Sequence, residues 1–362
     1  MTTKDRLSVL QQQSPPFGGF LAIPLAQVEK VFLSPGPLYE PAARKNIVID
    51  MIMELFEKTG IGAGDVVINT FSYHIGPFAH WLDEAIRQAG AIVVPMGVGA
   101  TDLQIKLLHD LKVTAYVGTP SWLNTLLQKI EETGLNFREN FALTKVVVSA
   151  EPLPPPLRQK FVETYGFRVA NVYGASDVGM IAYNTEGGFA MRLFAGSIIQ
   201  VVNPDTGKSV GPGEVGEVVL TTFNETYPMI RLGMGDMAMN IDPAPGQSQQ
   251  GDRSIILVGR VGDALKVRGL FVHPNQLRFS LQRVPTVARA QGVITRDADA
   301  RDELTLRVVL APGHEGDDRA ALEAAIGEAV RSLCRVKVDR VEFLAADALA
   351  ADAKVLVDER AW

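Results

Sequence analysis

Between residues 65 and 174, short runs of β-branched and aromatic residues alternate with helical segments, and no other feature constrains the fold of this chain as tightly. DVVINT (65–70), AIVVP (91–95), VTAYVG (113–118), KVVVSA (145–150) and FRVANVYG (167–174) each read as a strand. Apolar side chains at consecutive positions suit a strand covered on both faces. The intervening segments predict helices over 77–88, over 102–111 with Thr101 as the cap, from Thr119 to Gly134, and over 156–165. Pro120 falls at an early helical position, where its missing N–H costs nothing. Strands joined by helices of this length need crossover connections, so a mostly parallel sheet with helices follows.

After Gly174 the texture changes. Residues 189–259 lose the helical period and gain glycine-punctuated alternation, as in GEVGEVVLTT (213–222) and RSIILVG (253–259), which predicts a β-rich subdomain. From about 262 the order becomes a short hairpin, KVRGLFV (266–272), then helix, strand, strand, helix, strand. The fold class is therefore α/β. A large N-terminal domain over 1–261 combines mostly parallel sheets and helices with the β-rich subdomain. A small α+β domain over 262–362 is able to fold and move separately, with Gly259 and Gly262 at the hinge.

Composition excludes several functions. With 362 residues the chain is long for one core. The 35 basic and 41 acidic side chains leave a net charge of −6, which does not suit a protein held on nucleic acid by a general positive field. A lone cysteine, Cys334, rules out an internal disulfide framework and fits a reducing compartment. The polar start is unlike a secretory signal, and no apolar run approaches the roughly 18 residues of a membrane span. The expectation is a soluble cytoplasmic protein with neither nucleic acid nor membrane as partner. Scattered histidines (74, 80, 109, 273, 314) lack zinc-ligand spacing, and neither a GxSxG elbow nor a GxGxxG turn follows a strand.

Three segments carry residue types suited to chemistry. Val172-Tyr173-Gly174-Ala175-Ser176-Asp177 follows a strand, and open α/β sheets bind ligands beyond the carboxyl ends of their strands. There a Tyr stacks on a base, a Gly admits close backbone, a Ser meets a phosphate and a carboxylate holds Mg²⁺; a turn with an Asp cap explains the same letters. Gly233-Met234-Gly235-Asp236, after Tyr227-Pro228-Met229-Ile230-Arg231, places a carboxylate where it can accept from ribose hydroxyls, or is a tight turn. Val258-Gly259-Arg260-Val261-Gly262-Asp263, continuing to Gly269, is unusually rich in charge and glycine for a domain junction.

In this order, the three segments resemble those of the adenylate-forming enzymes, the acyl-CoA synthetases and adenylation domains, and most of all the phenylacetate-CoA ligase branch. Phe17-Gly18-Gly19-Phe20, Thr119-Pro120-Ser121-Trp122, Ser149-Ala150-Glu151-Pro152 and His273-Pro274-Asn275-Gln276-Leu277 extend the resemblance over nearly the whole chain. It implies ATP, Mg²⁺ and a thiol such as CoA. Ser149, Ala150, Glu151, Pro152, Tyr173 and Gly174 would line the adenine site, Ser176 would touch the α-phosphate, and Asp177 stands at the Mg²⁺ position. Asp236 would clamp the ribose with support from Arg260. Phe71, Tyr73, His74 and Trp122 would lie against the acyl group, and the C-terminal domain would act as a lid presenting Lys354. An aromatic carboxylic acid is the implied substrate, a phenazine-type carboxylate of antibiotic biosynthesis being the first candidate. A downstream reductase or other acyl acceptor and a homodimer are the partners to be expected.

The sequence departs from this family at its phosphate loop. Phe32-Leu33-Ser34-Pro35-Gly36-Pro37-Leu38-Tyr39-Glu40-Pro41 carries three prolines, lacks the family's lysine and adds Glu40. Each proline removes an N–H donor, and Glu40 has the wrong sign for pyrophosphate. Two alternatives therefore stand beside ATP-dependent adenylation. One is an ATP-independent acyl transferase between CoA and a carrier protein, and the other is a binding protein without catalysis on the same fold. The lysine register is also open, because alignment on Asp358-Glu359-Arg360 selects Asp352 rather than Lys354.

Overall fold

The computed structural model describes residues 2–34, 37–43, 46–204, 206–212, 215–261, 265–268, 270–272, 274–314, 316–334, 336–350 and 352–360. Pro35, Gly36, Gly262, Asp263, Gly269 and His273, all singled out from the sequence, lie outside them. The chain divides into two compact units, Met1–Val261 and Gly262–Trp362.

The first unit begins with β1 (Thr2–Thr3), α1 (Lys4–Gln13) and a hairpin of β2 (Lys30–Ser34) and β3 (Leu38–Ala42), followed by α2 (Ile47–Thr59). Next come β4 (Val66–Asn69), α3 (Phe78–Gln88), β5 (Ile92–Pro95), α4 (Thr101–Asp110), β6 (Ala115–Gly118), α5 (Pro120–Glu132) and β7 (Lys145–Ser149). After β8 (Arg168–Ala175), the strands β9 (Gly179–Asn184), β10 (Met191–Leu193), β11 (Ser197–Val202), β12 (Val215–Thr222), β13 (Leu232–Ile241) and β14 (Ser254–Arg260) complete it. They form a 12-stranded sheet ordered β11-β12-β13-β14-β10-β9-β8-β7-β6-β4-β5, with β1 added to β13. The run from β8 to β5 is parallel, as the alternating pattern requires, and pairing beyond β8 is antiparallel except where β1 joins β13 in parallel.

Strand period decides which side chain meets which layer. Val67, Val117 and Val147 pack with Ile52, Leu55, Leu82 and Ile86 of α2 and α3. Their neighbours Ile68, Tyr116, Val146 and Val148 pack on the other face with Leu123, Leu127 and Ile130 of α5. Both faces are thus dry, which is why KVVVS reads as an unbroken apolar run. A further core under β9–β14 takes in Leu7 and Phe17, so the N-terminal segment is part of the β-rich region.

Thr119 caps α5 by accepting from the Trp122 N–H at 3.4 Å, as its position implies. Thr101 is not a cap. Ala100 holds that position at φ 53° without a side-chain bond, and Thr101 is the first helical residue. Positive φ values at Gly97, Gly99 and Ala100 steer the chain into α4 instead. Residues 32–34 and 38–41 pair in the β2–β3 ladder, in which Phe32 faces Glu40 and Ser34 faces Leu38.

In the second unit, β15 (Leu265–Val267) and β16 (Leu270–Val272) form the expected hairpin, followed by a helix over Pro274–Leu281. Strands β17 (Val287–Arg296), β18 (Asp302–Leu310), β19 (Arg340–Leu344) and β20 (Leu356–Asp358) make a sheet ordered β19-β18-β17-β20 beside the helix Arg319–Cys334. The sequence reading missed β20, a three-residue strand. Buried Arg360 fastens that end of the chain to Asp302 at 3.2 Å and Asp358 at 2.6 Å. No helix of the described residues is long and apolar enough to cross a membrane.

Candidate active site

Three strands of the first unit bring the three motif segments to one point. Asp236 of β13 lies opposite Arg260 of β14 in an antiparallel register. The Arg260 Nε stands 3.3 Å from Asp236 Oδ1, and the Tyr173 hydroxyl, from the end of β8, donates to Asp236 Oδ2 at 2.6 Å. Burial, then the neighbouring Asp236 charge, pushes the Tyr173 hydroxyl well above its usual range, so it stays a donor at working pH. Each carboxylate oxygen has two lone-pair directions. Tyr173 and Arg260 hold the group in place and leave it able to accept from a pair of ligand hydroxyls.

The carboxyl ends of β7 and β8 complete this corner. Ser149 lies beside Val172, and its hydroxyl donates to the Val172 carbonyl at 2.8 Å. Ser149 is buried and thereby fixes the strand ends rather than facing a ligand. Ala150 turns out of β7 at φ 72°, a left-handed conformation rare for a residue with a Cβ. The Glu151 carboxylate accepts from the Ser121 N–H at 3.3 Å, tying this turn to the start of α5, and Pro152 is half-buried behind it. Gly174 sits at an irregularity between β8 and β9, where an added Cβ would lie 2.8 Å from the Gly179 carbonyl oxygen. Close backbone approach makes glycine necessary there.

Ser176 and Asp177 form the turn after β8, where the chemistry is less open than the motif suggests. Lys4 Nζ lies 3.1 Å from Asp177 Oδ1 and 2.9 Å from Oδ2, so the carboxylate meant for a metal holds an ammonium. No group of three or more His, Cys, Asp or Glu side chains able to hold a metal ion exists among the described residues. Asp177 is thus paired with a cation that the chain itself supplies.

Ser176 and Asp177 line a cavity of about 30 Å³ together with Glu40, Trp81, Asn224 and Thr226. Burial, then the charge of Asp177, pushes the Glu40 carboxyl up to about 8, while Ser34 and Lys4 pull it back. Both Glu40 oxygens and the Trp81 Nε1 lack a hydrogen-bond partner among the described residues. Sequence reasoning saw Glu40 but missed Lys4 and the buried polar end of Trp81. Lys4 is 173 positions from Asp177, and no local spacing announces the pair.

The residues expected around the acyl group are not gathered in one place. Phe71 packs edge-on against Phe78 at 4.8 Å and joins the core of α2 and α3. The Tyr73 hydroxyl accepts from Asn69 at 2.9 Å and faces Asp83 at 3.2 Å; burial and Asp83 raise its pKa. His74 is exposed, with its backbone N–H on Ser72, whereas His80 is the histidine that packs between Phe32 and Tyr73. Trp122 packs with the core on the opposite sheet face and donates from Nε1 to Gln104 at 2.9 Å. Phe71 and Trp122 therefore belong to different layers. Lys354 is exposed in the second unit, its carbonyl accepting from Gln291 at 2.9 Å.

Known proteins resemble this chain over most of its length. A family model described as AMP-binding enzyme matches residues 45–224. The phenylacetate-coenzyme A ligase of Thermus thermophilus is 28% identical over 304 residues, covering 81% of this chain and 68% of that protein. The phenylacetate-coenzyme A ligase of Aromatoleum evansii is 27% identical over 370 residues, covering 95% and 81%. Among solved structures, 2-hydroxyisobutyryl-CoA ligase with 2-HIB-AMP and CoA superposes with a TM-score of 0.88 at 24% identity, covering 99% of this chain and 80% of that one. That likeness is one of fold.

Proposed function

We propose that this chain, which belongs to the adenylate-forming enzymes in a branch similar to the phenylacetate-CoA ligases, is an acid-activating ligase that makes an acyl-adenylate and passes the acyl group to a thiol. A carboxylate oxygen of the acid attacks the α-phosphorus of ATP, and the bond to pyrophosphate breaks. A thiol sulfur then attacks the acyl carbonyl, and AMP leaves.

The observation that carries this reading is the meeting of Tyr173, Asp236 and Arg260 around one carboxylate. Asp236 accepts from the ribose hydroxyls, and the Ser176 hydroxyl donates to the α-phosphate. Such groups act by position and fixed charge, set before the substrate arrives. The second unit, 262–362, is proposed as the mobile lid, with Lys354 neutralising charge between the carboxylate and the α-phosphate.

The acid is proposed to be aromatic. Two relatives are named for phenylacetate, and Phe71 and Tyr73, both partly exposed, follow β4. A phenazine-type carboxylate stays the first candidate, and CoA, a carrier protein or a reductase the acceptors to compare. The test is acid-dependent exchange of labelled pyrophosphate into ATP, screened over phenazine, benzoate and phenylacetate types. Exchange with no acid in that set would overturn the aromatic assignment. Absence of exchange with any carboxylic acid would overturn the ligase.

Glu40 favours one second reading. A buried carboxyl stands in the hairpin where a phosphate loop would carry a lysine, which suits acyl transfer from an existing thioester without ATP. Transfer from a supplied CoA thioester in the absence of ATP selects it.

A further inference from the structure

Residues 32–41 carry no lysine; they bring Glu40, beside Asp177 in the same cavity. A polyphosphate entering past Ser176 would meet two carboxyl groups there. The compensating cation comes from another part of the chain. Lys4 Nζ holds both oxygens of Asp177, the residue after Ser176, and its side chain remains 25% exposed, within reach of solvent.

Lys4 is also firmly placed. It opens α1, whose N-cap Thr3 accepts from the Arg6 N–H at 3.2 Å. Thr2 and Thr3 pair in parallel with Leu232 and Gly233 on β13, the strand that carries Asp236. Further along α1, the Gln11 side chain bonds the Tyr39 backbone at both N–H and carbonyl, each at 2.8 Å, and the Tyr227 hydroxyl at 2.9 Å. Leu7 is 1% exposed beneath the helix. One end of α1 is thus stitched to the ribose strand and the other to the hairpin bearing Glu40.

Resting on the reading under Proposed function, we propose that Lys4 is the phosphate-contacting cation of this site, taking the place of the lysine missing from residues 32–41. A lysine ammonium is a compact charge on a flexible stem and turns readily from one anion to a nearby one. Held by Asp177, it is positioned to meet the phosphates beyond Ser176 as a triphosphate enters. AMP has no such phosphates, so Lys4 separates the two nucleotides.

Titration calorimetry with ATP and with AMP, each in the presence of Mg²⁺ and without acid substrate, tests this on the full chain. Lys4→Ala is expected to weaken ATP about 10- to 100-fold, the range of a lost charge-assisted contact, and to change AMP less than about 3-fold. Lys4→Arg, which keeps the charge, is expected to stay within about 5-fold of the wild type for ATP. If Lys4→Ala does not fold, Lys4→Gln keeps the stem and is read in the same way. Unchanged or tighter ATP binding in the neutral variant overturns the proposal, as does an equal loss for AMP. A wild-type chain that binds neither nucleotide overturns the underlying reading and this one with it; indifference to Lys4→Ala in a wild type that binds both overturns only this one.

Discussion

Asp236 and Arg260 face each other across neighbouring antiparallel strands, and with the Arg260 Nε 3.3 Å from one carboxylate oxygen, Tyr173 is free to hold the other at 2.6 Å. A carboxylate gripped from two sides cannot rotate without breaking both contacts. In the proposed nucleotide site a ribose would therefore meet an acceptor already oriented, with little ordering left for binding to supply.

Asp236→Asn keeps the shape and removes the charge. We expect AMP affinity to fall about 10- to 100-fold, because hydrogen bonds to an ionised acceptor are worth roughly 1.5–3 kcal/mol. Tyr173→Phe removes one neutral donor from a carboxylate that Arg260 still holds, so a loss below about 10-fold is expected. Calorimetry with AMP reads both. Unaltered affinity in Asp236→Asn would remove this residue from the nucleotide site.

Gly174→Ala tests the backbone behind Tyr173. The added Cβ would stand 2.8 Å from the Gly179 carbonyl oxygen, and β8 and β9 must part to admit it. Destabilisation of about 1–3 kcal/mol is expected in urea unfolding, with weaker AMP binding because Tyr173 shifts with its strand. A variant of wild-type stability would show that the irregularity between these strands is soft.

Lys145→Met is the structural control. Lys145 Nζ bonds both oxygens of Asp65, at 2.8 and 2.7 Å, cross-linking the starts of β7 and β4 at the edge away from the nucleotide corner. Breaking a largely buried pair from one side strands the other charge and costs about 2–4 kcal/mol. Urea unfolding should show that loss, while AMP affinity stays within about 2-fold. An equal loss of affinity would mean that the nucleotide corner depends on the far end of the sheet.

The parallel strands were legible because burial on both faces writes itself into a single run, as in Val146-Val147-Val148. Tyr173, Asp236 and Arg260 were legible for another reason: each lies in a glycine-marked segment, and Tyr173 and Arg260 both meet the Asp236 carboxylate. The Lys4–Asp177 pair was not legible. It joins positions 173 residues apart, and α1 is a mostly polar helix whose docking rests on Leu7 and Gln11. Thr101 misled because a good capping residue stands one place inside a helix whose entry is set by backbone geometry at Ala100. The aromatic stretch after β4 showed its residue types but not their directions, so exposed His74 and inward His80 could not be told apart.

Lys354→Ala separates binding from chemistry. As the proposed lid lysine it should lower acid-dependent pyrophosphate exchange at least about 100-fold, in line with losing one charge-stabilising donor, and leave AMP affinity within about 2-fold. Asp352→Ala, at the competing position, should keep exchange near wild type. The reverse pattern would move the lid function elsewhere.

Glu40 makes stability fall as pH rises. Its carboxyl is pushed from 4.5 up to about 8 by burial, then by Asp177. Between those values the folded chain keeps a proton that the unfolded chain has released, so raising the pH through this window favours unfolding. The full loss is roughly 3–5 kcal/mol, complete near pH 8 and absent near pH 4.5. Glu40→Gln is neutral at every pH and should be free of it. Urea unfolding at pH 5 and at pH 8.5 should show the variant close to wild type at the lower pH and more stable by about 2–4 kcal/mol at the higher. Two curves that stay parallel across the window would mean that Glu40 is ionised in the folded chain, and that Lys4 balances two carboxylates rather than one.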